Sequence, residues 1–478
     1  MYKTFVCNLT HWSRKNLLFS RYYSATSERK RVCIVGSGPA GFYTAQHLLK
    51  NKLIEVDIFE KLPVPFGLIR YGVAPDHPEI KNVTNSFTKL ALNENCRFYG
   101  NINVGEDVKI SELLNSYHAV VLAYGASCDK VIGIPGEDSK TVLPARRIVG
   151  WYTGHPDFVD EQIDLDTDVA TIVGHGNVAL DVARILLRNL DELKVTDISE
   201  YAYEALKKSK IRKVVLLGRR GPLQSAFSIK EFREMTKLTG CNVNIHDSIV
   251  KEIAANCKDL ARPLKRMIEL MTEIYDKTQS NSETQSRSMD VKFLRSPKEI
   301  IADSNGKVEK FVCRINTVKD LCDKKSMVEV TDQEDVINCG LVIRSVGYQS
   351  VPIESSIPFN AKHHIISNAK GRVKDTKGLY CSGWVKSGPI GVIVSTMHES
   401  FETGEALMED IQNGIIGQDL PHDREYLHNL LSKKGVKVVT FKDWELINRF
   451  ELDKGKEMGK YREKVYKVED MLKFLKSS

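Results

Sequence analysis

Apolar residues along the chain fall into short runs with the length of buried strands, and some of these runs end in closely spaced glycines. The first run, Val32–Val35, leads directly into Gly36, Gly38 and Gly41. The apolar positions of Phe42–Leu49 then have the spacing of a helix that packs on a sheet. This order predicts a strand, a tight glycine turn and a helix.

The same order returns later in the chain. Asp168–Ala179 is again an apolar strand that runs into a glycine turn, and Asn177–Leu190 continues as a helix. Each helix is followed by a second apolar strand, Val56–Phe59 in the first case and Val214–Leu217 in the second. Strands that alternate with helices in this way predict an α/β fold with two Rossmann-like domains.

Weaker patterns fill the rest of the chain. Leu62–Pro78 is rich in proline and glycine yet apolar, which is typical of a functional loop. Thr278–Ser288 is polar and predicts a mobile loop. The remaining predicted elements are a helix over Ile80–Asn93, strands over Arg97–Val104, His118–Tyr124, Lys310–Ile315, Gly340–Ser345 and Leu379–Ser382, and a helix from about Gly391.

Composition narrows the class of protein. The chain has 478 residues, of which 42% are hydrophobic and 27% charged, as in ordinary globular proteins of two or three domains. No apolar run approaches the ~20 residues that a membrane-spanning helix needs. The ten cysteines are scattered, with no C-x-x-C pair and no spacing typical of a zinc site. We therefore expect reduced thiols and no metal.

The first residues of the chain have a charge bias of their own. Residues 1–27 contain four basic residues and no acid before Glu28; the basic residues are Lys3, Arg14, Lys15 and Arg21. Such a basic, acid-free segment with interleaved aromatic and leucine residues predicts a mitochondrial presequence, cleaved between Arg21 and Ser27. A disordered basic tail is the alternative.

The first glycine motif has the spacing of a dinucleotide-binding loop. In G-x-G-x-x-G, Gly36 permits the tight turn, Gly38 lets a pyrophosphate approach the backbone, and Gly41 lets the helix pack on its strand. Glu60 ends the next strand, where a carboxylate binds a ribose hydroxyl. The alternatives are an ordinary glycine turn and a solvated acid at the end of a strand.

The second motif carries the opposite charge at the corresponding strand end. Gly174, Gly176 and Ala179 form the G-x-G-x-x-A variant, and Val214–Leu217 is followed by Gly218 and two arginines, Arg219 and Arg220. Guanidinium groups suit a 2′-phosphate, so this site is predicted to prefer NADP to NAD. Glu231, near the start of the next predicted helix, lies close enough to contact the same ribose. Surface arginines without a ligand are the alternative.

Two further features remained open on sequence alone. In Asp259–Met271, Arg262, Lys265 and Arg266 share one face of a predicted helix that begins at Pro263, and such a face is usually only solvated. Trp384 follows a short strand and Gly383. This segment resembles one of the two-dinucleotide flavoproteins, in which such a strand lies against the flavin ring, so Trp384 is either a neighbour of a flavin or a core aromatic.

Several segments together resemble a known family. GSGPAGFYTAQHLL, VPFGL, YGVAPDHPE, FYGN, GHGNVALDVARILL, GRRGPLQSAF and GLYCSGWVKSGP are similar to segments of the mitochondrial adrenodoxin reductases, or NADPH:ferredoxin reductases. The chain has His175 where members of this family usually have glutamine, and it has Tyr124 where the broader group of two-dinucleotide flavoproteins usually has threonine. The resemblance runs from about Arg31 to the end of the chain.

The resemblance implies a domain arrangement and a set of contact residues. The NADP-binding domain, 129–348, is inserted into an FAD-binding domain made of 28–128 and 349–478. The implied FAD contacts, beyond the glycine loop, are Ala40, Glu60, Leu68, Val104, Trp384, Gly391, Val392 and Ile393. The implied NADP contacts are Gly174, His175, Gly176, Asn177, Val178, Arg219, Arg220, Glu231 and Gly391. Arg262, Lys265 and Arg266 match the positions that meet an acidic ferredoxin.

The resemblance also implies a reaction: a hydride passes from NADPH to FAD, and single electrons pass to a mitochondrial [2Fe–2S] ferredoxin. That ferredoxin would serve iron–sulfur cluster assembly, haem A synthesis or mitochondrial monooxygenases. The implied location is the matrix or the matrix face of the inner membrane, with at most peripheral membrane association and no nucleic-acid partner. His77 and Asp181 are the candidates for handling protons, although a packed histidine is an equal alternative.

Three other functions are alternatives to this one. A flavin subunit that feeds glutamate synthesis shares both loops but usually carries an N-terminal cysteine-rich segment. A disulfide reductase is disfavoured by the missing C-x-x-C. A nucleotide-sensing protein without turnover would differ from the enzyme by lacking a flavin that NADPH bleaches.

Overall fold

The computed structural model describes residues 29–280, 285–391, 393–416 and 420–477. The predicted presequence, residues 1–27, lies outside the described residues. Strands are β1 Lys30–Val35, β2 Ile54–Phe59, β3 Cys96–Gly100, β4 Ala119–Leu122, β5 Cys128–Asp129, β6 Val142–Pro144, β7 Val169–Val173, β8 Lys213–Leu217, β9 Cys241–Ile245, β10 Arg287–Lys292, β11 Arg295–Ala302, β12 Val308–Val318, β13 Val328–Asn338, β14 Leu341–Arg344, β15 Tyr348–Gln349, β16 Phe359–Asn360, β17 Ile365–Ile366, β18 Asn368–Ala369, β19 Arg372–Val373, β20 Leu379–Cys381 and β21 Val439–Thr440.

Helices lie between most of these strands. They are α1 Pro39–Leu48, α2 Leu68–Tyr71, α3 Pro78–Lys81, α4 Val83–Ala91, α5 Ile110–Ser116, α6 Ala145–Thr153, α7 Asn177–Leu187, α8 Leu190–Lys194, α9 Glu200–Lys207, α10 Ile229–Met235, α11 Ile249–Asn256, α12 Arg262–Gln279, α13 Trp384–Ser387, α14 Ile393–Gln412, α15 Arg424–Lys433, α16 Phe441–Glu457 and α17 Val468–Ser477.

The described chain divides into two compact units. The first unit contains residues up to 62 with 87–125 and 352–441, and the second contains 63–86, 126–351 and 442–478. These units are defined by their internal packing, so the predicted division into cofactor domains at 128 and 348 stays a prediction.

The first unit is built on an eight-stranded sheet in the order β18-β19-β20-β4-β1-β2-β3-β21. Its five central strands are parallel, and antiparallel strands close both edges. The residues of β2 and β4 are buried throughout, as expected for parallel strands covered on both faces. Helices α1 and α14 pack against each other in this unit.

The second unit contains a six-stranded parallel sheet in the order β6-β14-β7-β8-β10-β9. Beside it, β11, β12 and β13 form an antiparallel sheet. A core that includes Ile172, Leu216 and Phe232 fills the space between the parallel sheet and its helices. The predicted α/β class with two Rossmann-like domains is confirmed.

Most predicted elements lie within a few residues of the observed ones, with some corrections. The helix predicted over Ile80–Asn93 is two helices, α3 and α4, with Asn82 between them. The loop predicted over Thr278–Ser288 is wrong at both ends, because α12 continues to Gln279 and β10 begins at Arg287. Strand β13 was not predicted, since its residues are mostly exposed and include the acidic Glu329, Asp332, Glu334 and Asp335.

The cysteines differ from the expectation at one pair. Cys257, which follows α11, and Cys322, in the connection between β12 and β13, form a disulfide with their Cα atoms 5.3 Å apart. The two residues are 65 positions apart in sequence, so no spacing motif marks them. The other described cysteines are free, and all except Cys128 are buried. The expectation of reduced thiols is therefore wrong for Cys257 and Cys322.

Candidate active site

The first glycine loop joins β1 to α1 and has the geometry that its sequence predicts. Gly36 adopts a φ of +107°, and a Cβ there would lie 2.6 Å from the carbonyl oxygen of Ala123. A Cβ at Gly41 would overlap the carbonyl oxygen of Gly36. At Gly38, by contrast, a Cβ would meet no described atom within 4 Å. The loop is therefore tight where it packs and open at the position where a pyrophosphate would approach.

Glu60 follows β2 and faces this loop. Its Oε2 accepts hydrogen bonds from the Ser37 backbone N–H at 2.9 Å and from Ser37 Oγ at 2.6 Å. Its Oε1 accepts one from the Leu62 N–H at 3.1 Å. The carboxylate is thus fixed beside the loop rather than solvated at a strand end, in an orientation that suits a ribose hydroxyl.

Four other predicted FAD contacts in the first unit lie on α1, at the start of α13 and in loops. Ala40 and Val104 are buried, and Trp384 begins α13. A Cβ at Gly383 would overlap that of Ala40, so the turn before Trp384 approaches α1 closely. Gly391 is exposed at a φ of +92°.

The other three predicted FAD contacts lie in different parts of the chain. Ile393 is the first residue of α14, in the first unit. Leu68 belongs to the second unit, where it begins α2 and is 39% exposed. Val392 lies outside the described residues.

The second glycine loop joins β7 to α7 and repeats this geometry. Gly174 has a φ of +130°, and a Cβ there would overlap the carbonyl oxygen of Ser345. A Cβ at Gly176 would meet no described atom within 4 Å. Ala179 is fully buried, as the third position of the motif requires for packing. Val178 packs against the core beside it.

The side chains of His175 and Asn177 contact other residues of the second unit. The His175 ring lies against Phe227 and Phe293, and its Nε2 is 3.3 Å from the carbonyl oxygen of Leu216. Burial lowers the pKa of His175 to about 4, so the ring is neutral at physiological pH. Asn177 Oδ1 accepts a hydrogen bond from the Ser228 N–H at 2.9 Å. Backbone N–H groups of this loop, rather than the His175 ring, are suited to contact phosphate.

Arg219 and Arg220 follow β8 and project from a fixed backbone. The carbonyl oxygen of Arg219 accepts from Asn316 Nδ2 at 2.6 Å, and that of Arg220 accepts from the Leu294 N–H at 3.2 Å. Both residues are exposed, and neither guanidinium pairs with an acid among the described residues. Two unpaired guanidiniums at the end of a parallel strand fit a 2′-phosphate.

His77 and Asp181, the predicted proton-handling residues, belong to one cluster of charged groups in the second unit. His77 Nε2 lies 2.8 Å from Glu234 Oε2, and its Nδ1 lies 4.0 Å from Glu231 Oε2. Asp181 Oδ1 instead accepts a hydrogen bond from Arg184 Nη2 at 2.7 Å. The hydrogen-bonding partner of His77 is therefore Glu234.

Burial dominates the electrostatics of this cluster. Burial raises the pKa of Asp181, and the neighbouring Arg184 opposes that rise. Burial likewise raises the pKa of Glu231, with His77 opposing it. Glu231 was predicted to contact a ribose, and the structure places it beside His77. His77, Glu231 and Glu234 bring possible metal-ligand atoms within 4.8 Å of one another. Because Glu234 is already bound to His77, we propose no metal there.

Sequence reasoning missed the other members of the cluster, which are Asp76, Arg184 and Glu234. Each of these residues lies close in sequence to a residue that was predicted. Asp76 directly precedes His77, Arg184 is one helical turn after Asp181, and Glu234 is one turn after Glu231. What the sequence did not indicate is that these three segments meet.

The predicted basic face lies on α12. Arg262, Lys265 and Arg266 are exposed, and none of them forms an ion pair within the described residues. The opposite face of the helix buries Met267, Ile268, Met271 and Ile274. The helix is thus anchored by its apolar side and presents three unpaired positive charges.

Comparison with known proteins places the chain in a family. Residues 30–404 match the model of the pyridine nucleotide-disulphide oxidoreductases. NADPH:adrenodoxin oxidoreductase, mitochondrial, from Salvelinus fontinalis is 46% identical over 94% of this chain and 92% of its own length. The protein of the same name from Homo sapiens is 44% identical over 96% of this chain and 94% of its own length.

A solved structure gives the same picture at the level of the fold. Mycobacterium tuberculosis FprA in complex with NADPH is 36% identical to this chain, with a TM-score of 0.88, and the match covers 94% of this chain and 100% of FprA. Within the described residues, no helix is both long and apolar enough to cross a bilayer. The chain therefore belongs to the pyridine nucleotide-disulphide oxidoreductase family and, within it, to the NADPH:adrenodoxin oxidoreductases.

Proposed function

We propose that this chain transfers electrons from NADPH to an acidic [2Fe–2S] ferredoxin, with FAD as its resident cofactor. The observation that carries this proposal is the pair of open glycine loops that end in opposite chemistry, an acid after the first and two unpaired arginines after the second. One loop suits a nucleotide with a free ribose, and the other suits one with a 2′-phosphate.

The first loop would hold FAD. Gly36, Gly38 and Gly41 shape the space for the pyrophosphate, and the N-terminus of α1 faces it with unpaired N–H groups. Glu60 would bind the ribose. Ala40, Leu68, Val104, Trp384, Gly391, Val392 and Ile393 are the further proposed contacts. The chemistry supplied by FAD when bound is acceptance of a hydride and release of single electrons.

The second loop would hold NADPH. The N–H groups of His175, Asn177 and Val178 would contact the pyrophosphate, and Arg219 and Arg220 the 2′-phosphate. Gly391 and Glu231 are the further proposed contacts. The domain that binds NADP would be residues 129–348.

His77 and Asp181 would manage protons beside the reacting groups. The contact of His77 with Glu234 orients the ring, and its Nδ1 is then the nitrogen that faces Glu231. An imidazole held in this way is suited to take up or release a proton during turnover.

The basic face of α12 would bind the ferredoxin. Its three unpaired charges complement an acidic partner, and complementarity of this kind raises the rate of encounter and fixes orientation. The relatives described above are named mitochondrial. We place this chain in the matrix or on the matrix face of the inner membrane, where its ferredoxin would serve iron–sulfur cluster assembly, haem A synthesis or monooxygenases.

The full chain, purified with FAD, tests the proposal. NADPH should bleach the visible absorption of the flavin, and added mitochondrial [2Fe–2S] ferredoxin should then support reduction of cytochrome c. Omission of the ferredoxin is the control. A protein that purifies without flavin, or that oxidises NADPH without reducing ferredoxin, would refute it.

A further inference from the structure

Arg184 lies on α7, one turn after Asp181, and its side chain is 1% exposed. A guanidinium removed from water to this extent is stable only with charged partners, because its desolvation is unfavourable by several kcal/mol. Neither the family resemblance nor the proposed reaction assigns this residue a role.

The partners of Arg184 come from separate segments of the second unit. Its Nε donates to Asp76 Oδ2 at 2.5 Å and its Nη2 to Asp76 Oδ1 at 3.1 Å, so two bonds fix the Asp76 carboxylate in a fork. Nη2 also donates to Asp181 Oδ1 at 2.7 Å. Nη1 forms no hydrogen bond within the described residues and lies 3.8 Å from Glu231 Oε2.

Asp76 directly precedes His77 in the chain, so the fork also fixes the backbone that carries His77. The same guanidinium donates to Asp181 on its own helix and approaches Glu231 on α10. We propose that Arg184 is a positioning residue for the proton-handling step: it holds the His77 loop onto α7 and places a fixed positive charge among the carboxylates around His77. This inference rests on the proposed function.

The titration behaviour of the acids agrees with that geometry. Burial alone would raise the pKa of Asp76, but the hydrogen bonds and charge of Arg184 bring it below its usual value. Burial raises the pKa of Asp181 and of Glu231, and Arg184 acts against both. The groups that face the cluster are Asp76, His77 and Glu79 around α3, Asp181, Arg184 and Arg188 on α7, Lys230, Glu231 and Glu234 on α10, Tyr152 on α6 and Tyr348 on β15.

Arg188 provides a matched control. It lies one turn further along the same helix region, and its Nη1 also donates to Asp76 Oδ2, at 2.5 Å. Its Nε donates to Glu192 at 2.8 Å, and its side chain is 26% exposed. Removal of Arg188 therefore takes a positive charge from Asp76 without removing a contact with Asp181 or Glu231.

The test compares Arg184→Met, Arg184→Lys, Asp76→Asn and Arg188→Gln in the full chain with FAD. Two quantities are measured against pH: the turnover of NADPH with ferricyanide, and the ring signals of His77 in isotope-labelled protein, assigned with His77→Gln. The ring signals report on the cluster whether or not the enzyme turns over, so failure of the reaction and failure of the inference are distinguishable.

Loss of the charge in Arg184→Met should move the His77 midpoint to higher pH by about one unit, because a nearby cation is lost. Asp76→Asn removes an anion and should move the midpoint to lower pH. Arg184→Lys keeps the charge but not the fork, so kcat should fall ~10-fold or more with the midpoint unchanged, since misplaced groups lose rate. Arg188→Gln should change kcat by no more than about twofold and should leave the His77 midpoint in place.

Shifts in the same direction in Arg184→Met and Asp76→Asn would overturn the inference, as would wild-type kcat in Arg184→Lys. If Arg184→Met does not fold, the effect of charge on His77 is tested with Asp76→Asn instead. An unchanged His77 midpoint in Asp76→Asn would then overturn the inference. A purely structural Arg184 would lower thermal stability and flavin content while leaving every midpoint in place.

Discussion

Two strand ends in this protein present opposite chemistry at corresponding positions. Glu60 follows β2 and is held by Ser37, so its carboxylate has a fixed direction. Arg219 and Arg220 follow β8 on a backbone that Asn316 and the Leu294 N–H hold in place, while their guanidiniums remain exposed. The difference between an oxygen acceptor and a forked donor is enough to separate a ribose hydroxyl from a 2′-phosphate.

The double substitution Arg219→Ala with Arg220→Ala should raise the KM for NADPH by at least ~10-fold, because a hydrogen bond to a charged group contributes ~1.5–3 kcal/mol. The KM for NADH should change little, since NADH has no 2′-phosphate. Steady-state kinetics with ferricyanide measure both. Arg212→Ala, at the opposite end of β8, is the matched control and should leave both values unaltered. An unchanged ratio of the two KM values would count against the assignment.

At the scale of elements, the chain's local patterns predicted the strand-turn-helix units well. Both glycine loops, their helices and the strands that follow them are confirmed within a few residues. Patterns local to one segment cannot show which segments meet. The disulfide of Cys257 with Cys322 and the cluster of Asp76 with Arg184 join residues that are 65 and 108 positions apart, so the sequence contained their members but not their pairing.

Helix α12 has a buried apolar side and an exposed basic side. Its buried methionine and isoleucine side chains hold it on the core, and its first turns present Arg262, Lys265 and Arg266 to solvent. Because these charges have no acid partner within the described residues, an acidic protein would not have to displace one. We therefore expect the free charges to act mainly on encounter with an acidic partner.

Charge reversal by Arg266→Glu should slow ferredoxin-dependent cytochrome c reduction by ~10-fold at low ionic strength, since steering of this kind changes association rates by 10-fold or more. The rate with ferricyanide should not change. The deficit should shrink as salt is added, because the Debye length falls to ~3 Å at 1 M. Lys208→Glu, an equal charge change at the end of α9, is the control. Equal losses with both acceptors would contradict the role of α12.

At the scale of the whole chain, the second unit is assembled from three separate stretches of sequence, and buried ion pairs join them. Arg70, from the first stretch, donates to Glu451 Oε1 at 2.6 Å, and Arg462 donates to Glu451 Oε2 at 2.8 Å. Asp197, from the middle stretch, accepts from Lys81 at 2.6 Å and from Lys464 at 3.1 Å. The C-terminal stretch that begins at residue 442 is therefore an integral part of the second unit.

The pair of lysines on Asp197 gives this assembly a dependence on pH. Burial lowers the pKa of Lys464 to about 7, with Lys81 and Arg70 adding to the effect and Asp197 opposing it. In the unfolded chain a lysine titrates near 10.4. Between these two pKa values the unfolded chain binds one proton more than the folded protein. The free energy of unfolding therefore rises with pH in this range, by at most ~1.4 kcal/mol per pH unit. Below pH 7 both states are protonated and the slope disappears.

Lys464→Met removes the titrating group while Lys81 still neutralises Asp197, so the variant should lack this slope. The melting temperature of the wild type relative to Lys464→Met should therefore increase from pH 7 to pH 9.5, as measured by thermal denaturation of the holoenzyme. Lys467→Met is the control, because Lys467 is half-exposed and its 3.3 Å pair with Asp160 lies in solvent. Parallel melting curves for the wild type and Lys464→Met across this range would mean that Lys464 keeps its proton in the folded protein, and that Asp197 holds two ammonium groups at once.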